Sequence, residues 1–204
     1  MERSWYPSCF QMLTTSLGQS TSPIEAGSAV GLTVSLSPDN KPVIAGIASA
    51  ASKLRLASEF SSASFSSYTD RTAKGYNSLF RITFCVIAFE SYARMFGETK
   101  WHRFDQKLVP YFLPQTIEAV RSALYKQKDS LIKGLTDQQL QGRIGSFFDG
   151  EDCQIVAIAV AMRHAFAHGK IAATGQYAAN RDELSKELLN SIKAHCDVIA
   201  ASIY

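Results

Sequence analysis

Arg163, His164 and His168 interrupt the most apolar stretch of this chain, in the run Met162-Arg163-His164-Ala165-Phe166-Ala167-His168-Gly169. A guanidinium is a permanent cation whose planar N–H donors suit a phosphate, and an imidazole moves protons near neutral pH. An arginine among residues expected to be buried is costly unless it is paired or has a task, so chemistry is looked for here first. On an ideal helix Arg163 and His168, five positions apart, point roughly 140° apart. A site using both therefore lies in a groove around the helix end, and a second subunit closing that groove would bring both onto one phosphate. His168 falls in the last turn, where the carbonyl ends favour a cation while nearby Arg163 opposes one, a balance suited to proton transfer. His164 and His168, four apart, face the same way. Such a pair can chelate zinc, but the Glu of H-E-x-x-H is missing and His102 or His195 could supply a third ligand only through the fold. No metal and no cofactor is expected. The plainer alternative for Arg163 and His168 is a buried ion cluster at a subunit interface.

The elements that must position these residues read as helices. Glu151 to His168 is apolar nearly all round, with Ile155, Val156, Ile158, Val160, Met162 and Phe166, the pattern of a helix central to its domain, and Gly169 ends it. Arg71 to Phe96 is a second, largely buried helix, with Asp70 as its cap and Gly97 as its stop. Ile44 to Ser67, rich in Ala and Ser, reads as a helix before it. Trp101 to Pro114 reads as a loop with a short helical piece, and Gln115 to Lys133 as a helix closed by Gly134. Thr136 and Gln139 look like a capping box for a short helix to about Phe148, with Asp149-Gly150 as the turn. Arg181 to Ile203 carries the stripe Leu184, Leu188, Ile192, Ile199 and Ile203. The fold class is all-α, a helical bundle over residues 43–204. Residues 1–42, rich in Ser, Gly and Pro, form an N-terminal extension. There Val30, Leu32, Val34 and Leu36 alternate with small and polar residues, which suggests one strand or hairpin before a turn at Ser37 to Pro42.

With 204 residues, 46% of them hydrophobic, the chain can bury a core, and its net charge of +3 is too small to argue for a nucleic-acid partner unaided. Cys9, Cys85, Cys153 and Cys196 form no CxxC pair, so a zinc ribbon or redox motif is not indicated and a reducing, cytoplasmic setting is expected. The start of the chain lacks the apolar stretch of a signal peptide, and the longest apolar run, Ile155 to Met162, is far too short to span a bilayer.

Arginine, a polar residue, mostly apolar residues and then histidine, late in a central helix, resembles the R-x4-H motif of the HEPN superfamily. The resemblance covers roughly residues 70–203, and Glu90, in Phe89-Glu90-Ser91-Tyr92, is similar to an acidic position on an early helix of that family. It implies a metal-independent RNA endonuclease working by attack of the ribose 2′-OH, so that DNA is inert. It makes His168 the general base or acid, Arg163 the group that steadies the phosphorane, and His164, usually Asn or Asp in relatives, a third catalytic-site residue that orients its neighbours or touches phosphate. It also implies a homodimer with two motifs facing one cleft, a toxin or defence role, and a nucleotidyltransferase-type antitoxin as partner. Lys170 stands where one toxin subgroup has the tyrosine that such a partner modifies, and weighs against that last implication. The alternative within the family is a noncatalytic dimeric module that binds RNA or protein. Glu90 reads as the carboxylate a buried Arg163 requires, and His195 as a core or interface histidine. The aromatic run Trp101 to Phe112 suits packing or base stacking, and Lys126, Lys128 and Lys133 suit a solvated face or a phosphate track.

Overall fold

The structure, a computed structural model, describes residues 41–98 and 100–201. All regular structure among them is helical: α1 (Lys41–Glu59), α2 (Asp70–Met95), α3 (Trp101–Phe104), α4 (Pro114–Leu124), α5 (Lys128–Lys133), α6 (Gln138–Phe148), α7 (Ile155–Ala167) and α8 (Ala178–Ala201). The chain is an all-α helical bundle. The strand expected at Val30 to Leu36 lies outside the described residues. No described helix is long and apolar enough to cross a membrane.

α2 is the axis of the bundle, packed against α1, α7 and α8, while α8 also lies on α4. Its core face carries Leu79, Ile82, Val86 and Phe89, each 1% exposed or less, at the three- and four-residue spacings that place side chains on one face. α1 meets it through Ala50, Leu54 and Ala57 at the same spacing.

Several local expectations are corrected, some by local caps and some by contacts distant in sequence. α1 stops at Glu59, not Ser67. The residues after it are held in an irregular path over α2, where the Asn77 side chain accepts from the Ala63 N–H at 2.8 Å and Phe65 stacks on Phe80 at 6.1 Å. Serine is a mediocre helix former, so these bonds prevail over helix continuation. The cap of α2 is Thr69, whose hydroxyl accepts from the Thr72 N–H, and Asp70 is already helical. Likewise Asp137, not Thr136, caps α6, accepting from the N–H groups of Gln139 and Leu140 at 2.9 and 3.1 Å. The helix read over Gln115 to Lys133 breaks at a 3-10 turn, Tyr125–Gln127, where Gln127 is turned inward to Arg181. α7 begins at Ile155 rather than Glu151, and α8 begins three residues before Arg181.

Candidate functional site

From Ile155 to Met162 every residue of α7 is at most 4% exposed, so the helix runs through the core on all sides. Past Met162 the helix is buried on one side only: Ala165 stays fully buried, Arg163, His164 and Phe166 are partly exposed, and Ala167 and His168 are open to solvent. The arginine expected among buried residues thus sits at the rim, its side chain 27% exposed, with Nη1 2.8 Å from Oε1 of Glu90, itself 23% exposed. Three contacts show that α2 and α7 run antiparallel: Arg163 meets Glu90, Phe166 meets Phe80 and Tyr76, and the chain beyond α7 meets Gly75. Helical side chains lean toward the N-terminus of their helix, and Arg163 accordingly reaches back along α2 to Glu90. Phe166, edge-on to Phe80 at 5.6 Å and to Tyr76 at 6.1 Å, fixes the rotation of the last turn.

The histidines occupy the other side of that turn. The His164 and His168 rings lie 4.4 Å apart, tilted by 49°. His168 closes the helix, its N–H donating to the His164 carbonyl at 3.1 Å. The chain then reverses through Gly169 at φ 66°, a left-handed conformation that glycine adopts without a Cβ penalty. The Gly169 N–H donates to the Phe166 carbonyl at 3.0 Å and the Lys170 N–H to that of Ala165 at 2.7 Å, a Schellman closure that holds His168 at the tip. Ala167, on the same turn, is exposed. Burial, then the neighbouring His168 and Arg163, push the His164 imidazole below its ordinary titration range, with Asp137 opposing. His164 is therefore neutral at pH 7 and offers one donor and one acceptor.

The structure thus brings Arg163 together with Glu90, and His164 with His168, on two sides of one exposed turn. Among the described residues no group of three or more His, Cys, Asp and Glu side chains is placed to hold a metal ion, so neither His102 nor His195 completes the histidine pair. His195 is instead half-buried among aromatic rings. Its Nδ1 is 2.8 Å from the Tyr92 hydroxyl, the rings of Phe96, Phe104 and Tyr111 meet it edge-on, and burial followed by Lys107 pushes its pKa down to about 4. The aromatic run serves packing: Phe104 and Phe112 are buried and the guanidinium of Arg143 lies 5.5 Å from the Trp101 ring centre. Lys128 is tied to Asp149 at 2.6 Å, while Lys126 and Lys133 are exposed. Cys85 is buried, its thiol pushed up to about 12 by that burial, and is inert as a nucleophile.

Two polar clusters escape the sequence reading. Asp105 is fully buried with Arg143 on Oδ2, and Arg143 also donates to Gln154 Oε1 at 2.5 Å. Arg181 is 1% exposed. The second had a signal: Arg181 stands three, four and seven positions before Leu184, Ser185 and Leu188, on the apolar stripe of α8. No family model, curated protein or solved structure matches this chain.

Proposed function

We propose that the chain is a metal-independent RNA endonuclease of HEPN type, acting as a homodimer in a cytoplasmic toxin or defence role. One observation supports the reading: a helix buried from Ile155 to Met162 reaches solvent in its last turn, and that turn carries Arg163, His164 and His168 with Ala167 exposed among them. A phosphodiester lying over that turn would have a guanidinium and an imidazole within reach. His168 takes the proton of the ribose 2′-OH as the 2′-oxygen bonds to phosphorus. Arg163 keeps N–H donors beyond the one that meets Glu90, and they steady the added charge of the phosphorane. The bond to the 5′-oxygen breaks, His168 gives that oxygen the proton it took, and the strand ends in a 2′,3′-cyclic phosphate. Neutral His164 positions His168, and Glu90 positions Arg163. DNA, lacking the 2′-OH, is inert.

The test is cleavage of a labelled RNA pool in EDTA. Wild type yields 2′,3′-cyclic phosphate ends, and His168→Ala, an exposed position, loses cleavage by at least about 100-fold with an unchanged thermal midpoint. A folded wild type that cuts nothing removes the reading. It leaves the noncatalytic RNA- or protein-binding module, for which the Arg163–Glu90 pair is a structural tie.

A further inference from the structure

Two groups of aromatic rings gather along α2, and they differ in burial. Toward its C-terminus Phe89 and Tyr92 close with Phe96 and Phe104 into the core, each at most 8% exposed. Toward its N-terminus Tyr76 and Phe80 join Phe65 and Tyr68 of the 60–68 segment and Phe166 of α7. None of these five is buried: Tyr68 is 50% exposed and the other four are partly exposed. Large rings left at the surface as a group mark a place where something binds, where a lone exposed ring does not.

The open rings are arranged face to face. Phe65 and Phe80 are within 6° of parallel at 6.1 Å, and Tyr68 and Tyr76 within 24° at 5.1 Å. Tyr68 is the outer ring of its pair. Phe65 lies 5.8 Å from Tyr68 and 5.4 Å from Tyr76, too near both to sit on the far side of Tyr68. The face of Tyr68 turned away from Tyr76 is therefore open, and it suits another flat π-system.

Charge and position select the occupant. Residues 65–80 and 163–170 build this surface and the R-x4-H turn. They hold Arg71, Lys74, Arg163 and Lys170 against the single acid Asp70. The whole chain nearly balances 21 Lys and Arg with 18 Asp and Glu. Arg71, Lys74 and Lys170 are exposed, while Arg163 is met by Glu90 from further along α2. Phe166 joins the rings to the turn, since it stands one helical turn after Arg163 and touches Tyr76 and Phe80. An apolar protein surface would use the rings and not the cations. A duplex backbone would use the cations and not the open ring face. A single strand of nucleic acid uses both.

We infer that the Tyr68–Tyr76 stack is a base-stacking subsite, taking an unpaired nucleobase of a single-stranded RNA whose backbone runs past the Arg163 turn. The inference rests on the reading of that turn as an RNA site and adds the class of RNA. A paired base inside a duplex has both faces covered by its neighbours, so the subsite selects single strands, and it tolerates any sequence because every base has a π-face.

The experiment is fluorescence anisotropy of the full chain with a labelled RNA whose riboses are 2′-O-methylated, so that binding is read without cleavage. Wild type binds the single strand more tightly than the duplex of the same sequence. Tyr68→Ala weakens single-strand binding by about tenfold, with duplex binding and the thermal midpoint unchanged, and Tyr68→Trp retains it. A strand carrying iodouracil, irradiated on wild type, crosslinks to Tyr68 or Tyr76, a readout that needs no variant. Equal affinity for single strand and duplex, Tyr68→Ala binding as wild type does, or crosslinks elsewhere overturn the subsite. Absence of binding by folded wild type does so too, and leaves the rings to a protein partner. Cleavage is separable from all of these. Ordinary RNA cut by wild type, with Tyr68→Ala binding unchanged, removes the subsite and keeps the ribonuclease. Tyr68-dependent binding without cutting keeps the subsite and removes the ribonuclease.

Discussion

Arg163 and Arg181 lie on consecutive long helices in opposite surroundings. Arg163 is at the rim, a quarter exposed, with a carboxylate 2.8 Å away. Arg181 is enclosed, with carbonyl oxygens and an aromatic ring for company. Asp105 stands between them in kind: wholly buried, yet with a guanidinium, that of Arg143, on one oxygen. The difference separates two tasks for a charge. A rim charge with a partner keeps water within reach and spare donors for a ligand. An enclosed charge held by neutral oxygens serves the fold, and its removal disturbs everything that closed around it.

The largest effect is expected at Arg181. Arg181→Ala deletes a fully buried side chain and leaves Gln127 Oε1 and the Thr174 carbonyl without donors, a loss of roughly 3 kcal/mol from cavity and unsatisfied acceptors together. Urea unfolding with an unchanged slope measures it. A loss no larger than that of a surface substitution would mean that the surroundings of Arg181 are looser than the close contacts of Gly75 with Ala173 and of Gly175 with Arg71 imply.

Legibility in the sequence follows the same division. The all-helical bundle, the burial of Ile155 to Met162 and the stop at Gly169 are written in local pattern, because apolar spacing and glycine act on the residues beside them. Arg163 attracts attention for a reason only half right. Its apolar neighbours are indeed buried, but the helix surfaces one residue after Met162, and no local pattern states how deep a helix sits. Arg181, the enclosed one, lies in a segment of ordinary polarity, and only its register with Leu184 and Leu188 betrays it. The break at Tyr125–Gln127 and the end of α1 at Glu59 depend on Arg181 and Asn77, each more than ten residues away in sequence. Those partners become visible only once the chain is folded.

A middle-sized effect tests Asp105 through pH. Burial, working against Arg143, raises the Asp105 pKa to about 6 from an ordinary 3.8. Between those values the folded state holds a proton that the unfolded state has lost, so this group makes stability fall as pH rises from about 4 to 6. His195 works in the other direction. Folded it titrates at about 4, unfolded near 6.5, so the unfolded state holds the extra proton and stability rises with pH across that window. The two slopes oppose, and wild type should be nearly flat there. Asp105→Asn removes the falling part, and its stability then climbs between pH 4 and 6.5 by on the order of 2 kcal/mol. A profile parallel to that of wild type would mean that Arg143 keeps Asp105 ionised throughout.

The smallest stability effect belongs to Arg163. A partly exposed ion pair contributes about 0.5–1 kcal/mol, so Arg163→Ala should lower stability by no more than that and leave α7 in place, anchored by Phe166 on Phe80 and Tyr76. Its effect on RNA cleavage should be far larger, a loss of about 100-fold or more, because an interaction that strengthens on the phosphorane affects rate rather than folding. Glu90→Gln separates the two roles further. It releases the guanidinium from its carboxylate and keeps the shape of the pair, so cleavage falls less than in Arg163→Ala while stability falls about equally. If Arg163→Ala instead weakened the fold by several kcal/mol, Arg163 would belong with Arg181 among the enclosed structural charges. The exposed turn of α7 would then lose its claim to chemistry.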